Sequence, residues 1–294
     1  MVERIVLGSA QWGMPYGIAN RTGQPSVEEI AALLEMARAA GIDTMDTARA
    51  YGESEALIGR LAGADSHWTI VTKLPPIDLG AVSPAGAEQL AAQELAASRV
   101  ALQRERLDVL LLHAPLPPTP AGDAVWRLLR NQRAAGAIGA LGLSARSPAE
   151  AWAALETPEI EVLQVAASLL DQRLMRGGFF AMAAARGKRL YARSIFLQGV
   201  AYLDALPTHL AQVGPVLTAI GSWAVQRGLT RTQAFLIYAR EAFSVPLVIG
   251  CETRQQLQNN LALWSHSTVD VADLASLVPP LSDEILDPWR WPNS

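Results

Sequence analysis

Cysteine is nearly missing from this 294-residue sequence: Cys251 stands alone. One thiol forms no internal disulfide, and it cannot build a cysteine-based metal site. Beside Gly250, it reads as a small buried residue rather than a nucleophile. Charge of one sign is not in excess either. The formal net charge is -4, with 24 Lys and Arg against 28 Asp and Glu and no block of like charge. Nucleic-acid binders are more often basic, so that partner is not expected. No stretch approaches the roughly 18 uninterrupted apolar residues of a membrane span. The opening "MVERIVLGSA" lacks the basic and long apolar regions of a signal peptide. Of the few histidines, His67, His209 and His266 have no polar companions and read as surface or packing residues. No cluster has metal-ligand spacing, so no metal is expected. What remains is a globular chain, expected in the cytoplasm. Half its residues are hydrophobic, enough for a sizeable core.

Short β-rich runs recur along that chain: "RIVLGS", "GIDTMDT", "HWTIVTK", "LDVLLLH", "IGALGLS", "IEVLQVA", "KRLYARS" and "VPLVIG". Most are continuously apolar, which suits strands buried on both faces. Helix patterns separate them. "SVEEIAALLEMARAAG" opens with Ser26 and Glu29 at capping-box spacing, carries Ile30, Leu33, Leu34 and Ala37 on one face, and ends at Gly41. "SPAEAWAALE" has Ser147 as N-cap and Pro148 at the first helical position. "PAGAEQLAAQELAASRVALQ", "AGDAVWRLLRNQRAAG", "QRLMRGGFFAMAAARG", "HLAQVGPVLTAIGSWAVQRG", "TRTQAFLIYAR" and "TRQQLQNNLALW" are also helical. A βα unit repeated over the whole length predicts an α/β fold, the (β/α)8 TIM barrel. A doubly wound sheet competes, but no GxGxxG turn follows the first strand. The expected organisation is one barrel domain over 1–294, with the tail "DPWRWPNS" packed on its outside.

In such a barrel the site lies at the C-terminal ends of the strands. The second apolar run ends at Asp46, the third at Lys73 and the fourth at His113. Tyr51, in "DTARAYGESE", lies in the loop just beyond Asp46. Lysine at a buried strand end needs a carboxylate, and Asp46 is the neighbour. A nearby ammonium would lower the phenol pKa of Tyr51 from its usual value near 10. Each residue alone has a plain reading. A loop tyrosine is usually surface, a strand-end Lys–Asp pair is more often structural, and His113 before "APLPP" can merely cap a loop. Their order on consecutive strand ends is what points to chemistry.

Asp46, Tyr51, Lys73 and His113, in "DTARAYGESE", "VTK" and "LLLHAP", resemble the catalytic tetrad of the aldo-keto reductases, and the resemblance runs over nearly the whole chain. "GSAQWG", with Gly8, Ser9 and Ala10, is similar to the family's first-strand turn. Ser144 of "GLS" and Gln164 match the residues holding the nicotinamide amide, and Asp46 also faces the cofactor. "SIFLQG" resembles the loop over the pyrophosphate, with Ser194, Ile195, Phe196, Gln198 and Gly199. "GCETRQQLQNN" is similar to the adenosine segment, with Gly250, Thr253, Arg254, Gln256, Asn259 and Asn260. Gln256 also sits at capping-box distance from Thr253, and both roles stay open. Two positions depart from the family. Ala145 replaces an asparagine, so one amide contact is lost. Arg193 replaces the ring against the nicotinamide, and a planar guanidinium can stack there.

The resemblance implies a carbonyl reductase on a barrel without a Rossmann domain. Tyr51 is then the general acid, and His113 helps stabilise the oxyanion. NADP(H) is expected over NAD(H), because Arg254 would meet the 2′-phosphate in the first turn of a helix; Glu252 stands against it. The partner is a small carbonyl compound, and Trp12 and Tyr16 are candidates for its wall, or for the core. The rival reading is a cofactor-sensing regulatory protein with little turnover.

Overall fold

The computed structural model describes residues 4–264 and 269–292. Eight parallel strands close into one barrel in chain order: β1 (Ile5–Gly8), β2 (Thr44–Asp46), β3 (Thr69–Leu74), β4 (Val109–Leu112), β5 (Leu141–Ser144), β6 (Val162–Ala166), β7 (Arg189–Arg193) and β8 (Leu247–Gly250). Pairing of β1 with β8 through Leu7↔Ile249 and Gly8↔Gly250 completes the circle. The continuous apolar runs have the expected cause. One face of each strand packs on the helix layer, and the other packs inside the barrel, where Val71, Val109, Leu111, Ala140 and Val162 form a separate cluster.

Side chains alternate along a strand. From the inner cluster, two residues onward lie Lys73 after Val71, His113 after Leu111 and Gln164 after Val162. The same count carries Gly142 to Ser144 and Tyr191 to Arg193. The barrel therefore fills its middle with aliphatics and turns polar groups inward only at the C-terminal mouth.

Helices start at the expected caps Ser26 and Ser147, and three others at caps of the same kind. Ser26, Ser83, Thr119, Ser147 and Thr230 each accept a backbone N–H with the side-chain oxygen. Residues Ile30, Leu33, Leu34 and Ala37 form the buried face of the helix Val27–Ala39. Two expected helices are broken. "QRLMRGGFFAMAAARG" splits into Arg173–Arg176 and Phe179–Ala185, because Gly178 takes φ 72° and a left-handed residue cannot continue the helix. "HLAQVGPVLTAIGSWAVQRG" runs as a 3₁₀ turn, Thr208–Val213, before the helix Gly214–Val225, since Pro215 fits a helix start rather than its middle.

The tail is tied down. Arg173 forms ion pairs with Asp171, Asp283 and Asp287. Trp291 is buried and donates its indole N–H to the Ile285 carbonyl, while Trp289 is 52% exposed. The Arg146 and Arg290 guanidinium groups lie 6.0 and 4.6 Å from the Trp289 ring centroid. His67 lies edge-on to Trp68, and His209 lies against Trp291. His266 falls outside the described residues. Among the described residues no helix is long and apolar enough to cross a membrane.

Candidate active site

Lys73 and Asp46 are 1% and 3% exposed. Nζ of Lys73 donates to both carboxylate oxygens of Asp46 and to the Thr47 carbonyl, each at 2.8 Å. Burial pushes the Lys73 pKa down, and Asp46 opposes that shift. The carboxylate accepts a third hydrogen bond, of 2.6 Å, from Gln164 Nε2 to Oδ1. Ser144 Oγ donates in turn to Gln164 Oε1 at 3.2 Å. Four polar residues from β2, β3, β5 and β6 thus form one buried chain, as desolvated charges require.

Tyr51 reaches this chain because two glycines let two loops nearly touch. A Cβ on Gly13 would lie 1.8 Å from the Tyr51 carbonyl oxygen, and one on Gly52 would lie 2.2 Å from the Gly13 oxygen. Gly52 also takes φ 55°. The "DTARAYGESE" stretch therefore arches over the mouth before the helix Ser54–Ala62 begins. Lys73 Nζ stands 4.9 Å from the centroid of the Tyr51 ring. The His113 ring lies edge-on to Tyr51, with centroids 5.8 Å apart.

The electrostatics correct one expectation. Burial raises the Tyr51 pKa above its ordinary value, the Asp46 charge adds to the rise, and Arg193 opposes it. The expected lowering of the phenol pKa by Lys73 is outweighed by burial. The Lys73 ammonium is held by both carboxylate oxygens of Asp46. His113 is held neutral: burial, then Lys73, Arg193 and Arg146, push its pKa down to about 3. Its Nδ1 is buried without a hydrogen-bond partner.

A cleft of about 1040 Å³ opens beside Tyr51. Gly8, Ser9, Ala10, Asp46 and Gly250 line it from the strand ends, with Tyr16 and Tyr51. Arg193, Ser194, Ile195, Phe196, Gln198 and Gly199 line it from the β7 loop. That loop holds Ser194, Leu197, Gln198 and Gly199 at φ of 62°, 45°, 51° and 99°. Left-handed non-glycine residues are costly and concentrate at functional loops. The segment after β1 closes against the loop. Ile18 N–H donates to the Gln198 carbonyl at 2.9 Å, and a Cβ on Gly199 would meet that of Ala19 at 2.8 Å.

Several candidates have other partners. Ser9 Oγ is occupied, donating to the Asp46 carbonyl at 2.8 Å. Trp12 is core, 1% exposed, with its indole N–H on the Cys251 carbonyl. Thr253 caps the helix Arg254–Trp264 by accepting the Gln256 N–H at 3.2 Å. Gln256 Oε1 accepts the Glu252 N–H at 2.7 Å while its side chain also lines the cleft, so both of its readings have a basis. Arg254 turns away: its N–H and Nε donate to the Glu29 carboxylate at 2.6 and 3.2 Å. This also replaces the return half of the capping box expected of Glu29. Asn259 pairs with Gln255 on the exposed face, and Asn260 Nδ2 donates to Cys251 Sγ. Glu252, Tyr202 and Asn20 line the cleft as well. Tyr202 had no signal in the sequence. Its ring meets Phe196, at 5.1 Å, only because the 3₁₀ turn Leu197–Tyr202 folds it back.

The cleft, with Tyr51 in its lining, can take an elongated ligand. A nicotinamide dinucleotide suits the residues present: glycines keep two strand ends open, and a strained loop walls the middle.

Comparison with known proteins shows the family and the fold. The sequence profile described as "Aldo/keto reductase family" matches residues 4–278. Among solved structures, the chain is similar to an aldo-keto reductase from Bacillus halodurans in its holo form, with 16% identity over 96% of this chain and 95% of that one, at TM-score 0.74. It is similar to a glycerol dehydrogenase from Gluconobacter oxydans, with 20% identity over 99% and 93%, at TM-score 0.69. A Pseudomonas aeruginosa protein assigned to the aldo-keto reductases shares 24% identity over 88% of each chain, at TM-score 0.60. These structural likenesses show the fold. No curated protein matches the chain.

Proposed function

This chain belongs to the aldo/keto reductase family, and we propose that it reduces an aldehyde or ketone, or oxidises an alcohol or sugar hemiacetal, with Tyr51 as proton carrier. Its class is that of oxidoreductases acting on carbonyl and alcohol groups with a nicotinamide cofactor. The observation carrying the tyrosine role is the buried Asp46–Lys73 pair beneath Tyr51, with His113 edge-on to the same ring.

The bound nicotinamide supplies the hydride in reduction and accepts it in oxidation. The chain's own groups handle the oxygen. Tyr51 keeps its proton at neutral pH, so its hydroxyl can donate to the carbonyl oxygen and then release the proton as negative charge builds there. His113 is neutral and its Nδ1 has no acceptor. That favours the tautomer with hydrogen on Nε2, a second donor for the oxyanion. Asp46 and Lys73 hold the floor under the ring. Ser144 and Gln164 would hold the nicotinamide amide, and Arg193 would lie against its ring. The loop Ser194–Gly199 would close over the pyrophosphate, and Gln256 would meet the adenosine. Arg193 Nη2 reaches the Ala145 carbonyl at 2.9 Å, next to the missing asparagine contact. The expected preference for NADP(H) rests on Arg254, whose guanidinium is on Glu29.

The test is Tyr51→Phe. Turnover of an aldehyde should fall by roughly 10²–10⁴-fold, while the cofactor dissociation constant stays nearly unchanged. A variant within about threefold of the parent removes Tyr51 from the reaction. The sensor reading makes a different forecast: cofactor binding in the parent, with no consumption of reduced cofactor across a panel of aldehydes and ketones.

A further inference from the structure

At the far end of the cleft, the cation expected to meet a 2′-phosphate is already neutralised. Glu29 comes from the helix Val27–Ala39 and reaches the start of the helix Arg254–Trp264. Its Oε1 accepts the Arg254 backbone N–H at 2.6 Å, and its Oε2 accepts Arg254 Nε at 3.2 Å. A backbone N–H in a first helical turn together with a guanidinium is the donor set that grips phosphate. Here an internal carboxylate fills it. Two neighbouring N–H groups are also taken, Glu252 by Gln256 Oε1 and Gln256 by Thr253 Oγ1.

The side chain that does line the cleft at this end is acidic. Glu252 is partly buried beside Gln256 and Tyr202, and its carboxylate has no cation within ion-pair distance among the described residues. A carboxylate there repels a phosphate and accepts a hydrogen bond from a free ribose hydroxyl.

We infer that Glu29 and Glu252 together make this chain select NAD(H) over NADP(H): Glu29 occupies the anion seat at Arg254, and Glu252 offers an acceptor to the 2′-hydroxyl. The inference rests on the reading of the cleft as a nicotinamide-cofactor site. It replaces Arg254 as discriminator with two acids from opposite ends of the chain.

Binding, not turnover, tests it. Dissociation constants are measured by fluorescence titration or calorimetry for NADH and NADPH, and for ADP-ribose with and without a 2′-phosphate. The parent should bind NADH at least tenfold more tightly, since one charge-assisted hydrogen bond gained or opposed is a factor of about ten or more. Glu29→Ala frees Arg254 and should tighten NADPH by roughly tenfold with NADH little changed. Glu252→Gln should weaken NADH and tighten NADPH. The ADP-ribose pair should follow the same order, which locates the discrimination at the adenosine end. A parent that prefers NADPH, or binds both equally, overturns the inference and leaves the cofactor reading intact. Failure of the parent to bind either nucleotide overturns both.

Discussion

At Tyr51, burial and the Asp46 carboxylate both favour the neutral phenol, and only Arg193 pulls the other way. Reduction needs that proton on the hydroxyl, so its rate should be flat from about pH 6 to 9, with His113 uncharged throughout. Oxidation needs the phenolate and should climb with pH. Arg193 is the cation that opposes the rise in the phenol pKa. Arg193→Met should therefore move the rise in the oxidation profile to higher pH, in addition to any loss of cofactor affinity. The measurement is the pH dependence of kcat at saturating cofactor and alcohol. An unmoved profile, with chemistry rate-limiting, would take Arg193 out of the tuning. The residue scale is also where the sequence was least sufficient. Asp46, Lys73 and His113 are readable because each ends an apolar run, and the strand period fixes where they point. Arg254 is not, because the direction of a long exposed side chain depends on Glu29, 225 positions away.

At the scale of elements, the two loops that wall the site are set by glycines rather than by contacts. Gly199 combines φ 99° with a position where a Cβ would meet Ala19 at 2.8 Å. Gly199→Ala should push the Tyr16–Asn20 segment off the β7 loop. The expected result is a cofactor dissociation constant raised by roughly tenfold, on the scale of the 1–3 kcal/mol cost of a strained backbone position. The global melting temperature should shift little. Stopped-flow release of reduced cofactor reports the opening of this strap directly; a release rate equal to the parent's would show that the segment does not retain the cofactor. Much of the element order was legible for a physical reason. Most strands are short apolar runs, and Ser147–Pro148 announces a helix start by local hydrogen bonding. What stayed illegible was non-local or strained. The 3₁₀ turn Leu197–Tyr202 has no periodicity to read. The break at Gly178 looks, in the sequence, like a glycine tolerated inside a helix.

At the scale of the whole molecule, the site and the stability of the fold are coupled through His113. The imidazole is pushed from 6.5 down to about 3, chiefly by burial. The unfolded chain takes up this proton near pH 6.5 and the folded chain does not. The stability tied to a neutral His113 is therefore fully present above about pH 6.5, and it is lost as pH falls toward 3. At pH 4 the two values imply a loss on the order of 3 kcal/mol from this one group. Buried carboxylates contribute their own acid dependence, so the single-residue share must be isolated by difference. His113→Gln keeps a hydrogen-bonding side chain of similar reach and removes the titration. Urea unfolding of parent and variant at pH 7.5 and pH 4 gives two stability gaps. The gap should move in the variant's favour by roughly 3 kcal/mol between the two conditions. This holds even if the variant is the weaker protein at neutral pH. Equal gaps at both pH values would mean that His113 gains access to water and protonates in the folded barrel. The flat pH profile of reduction would then bend below about pH 6.5, where His113 takes up its proton.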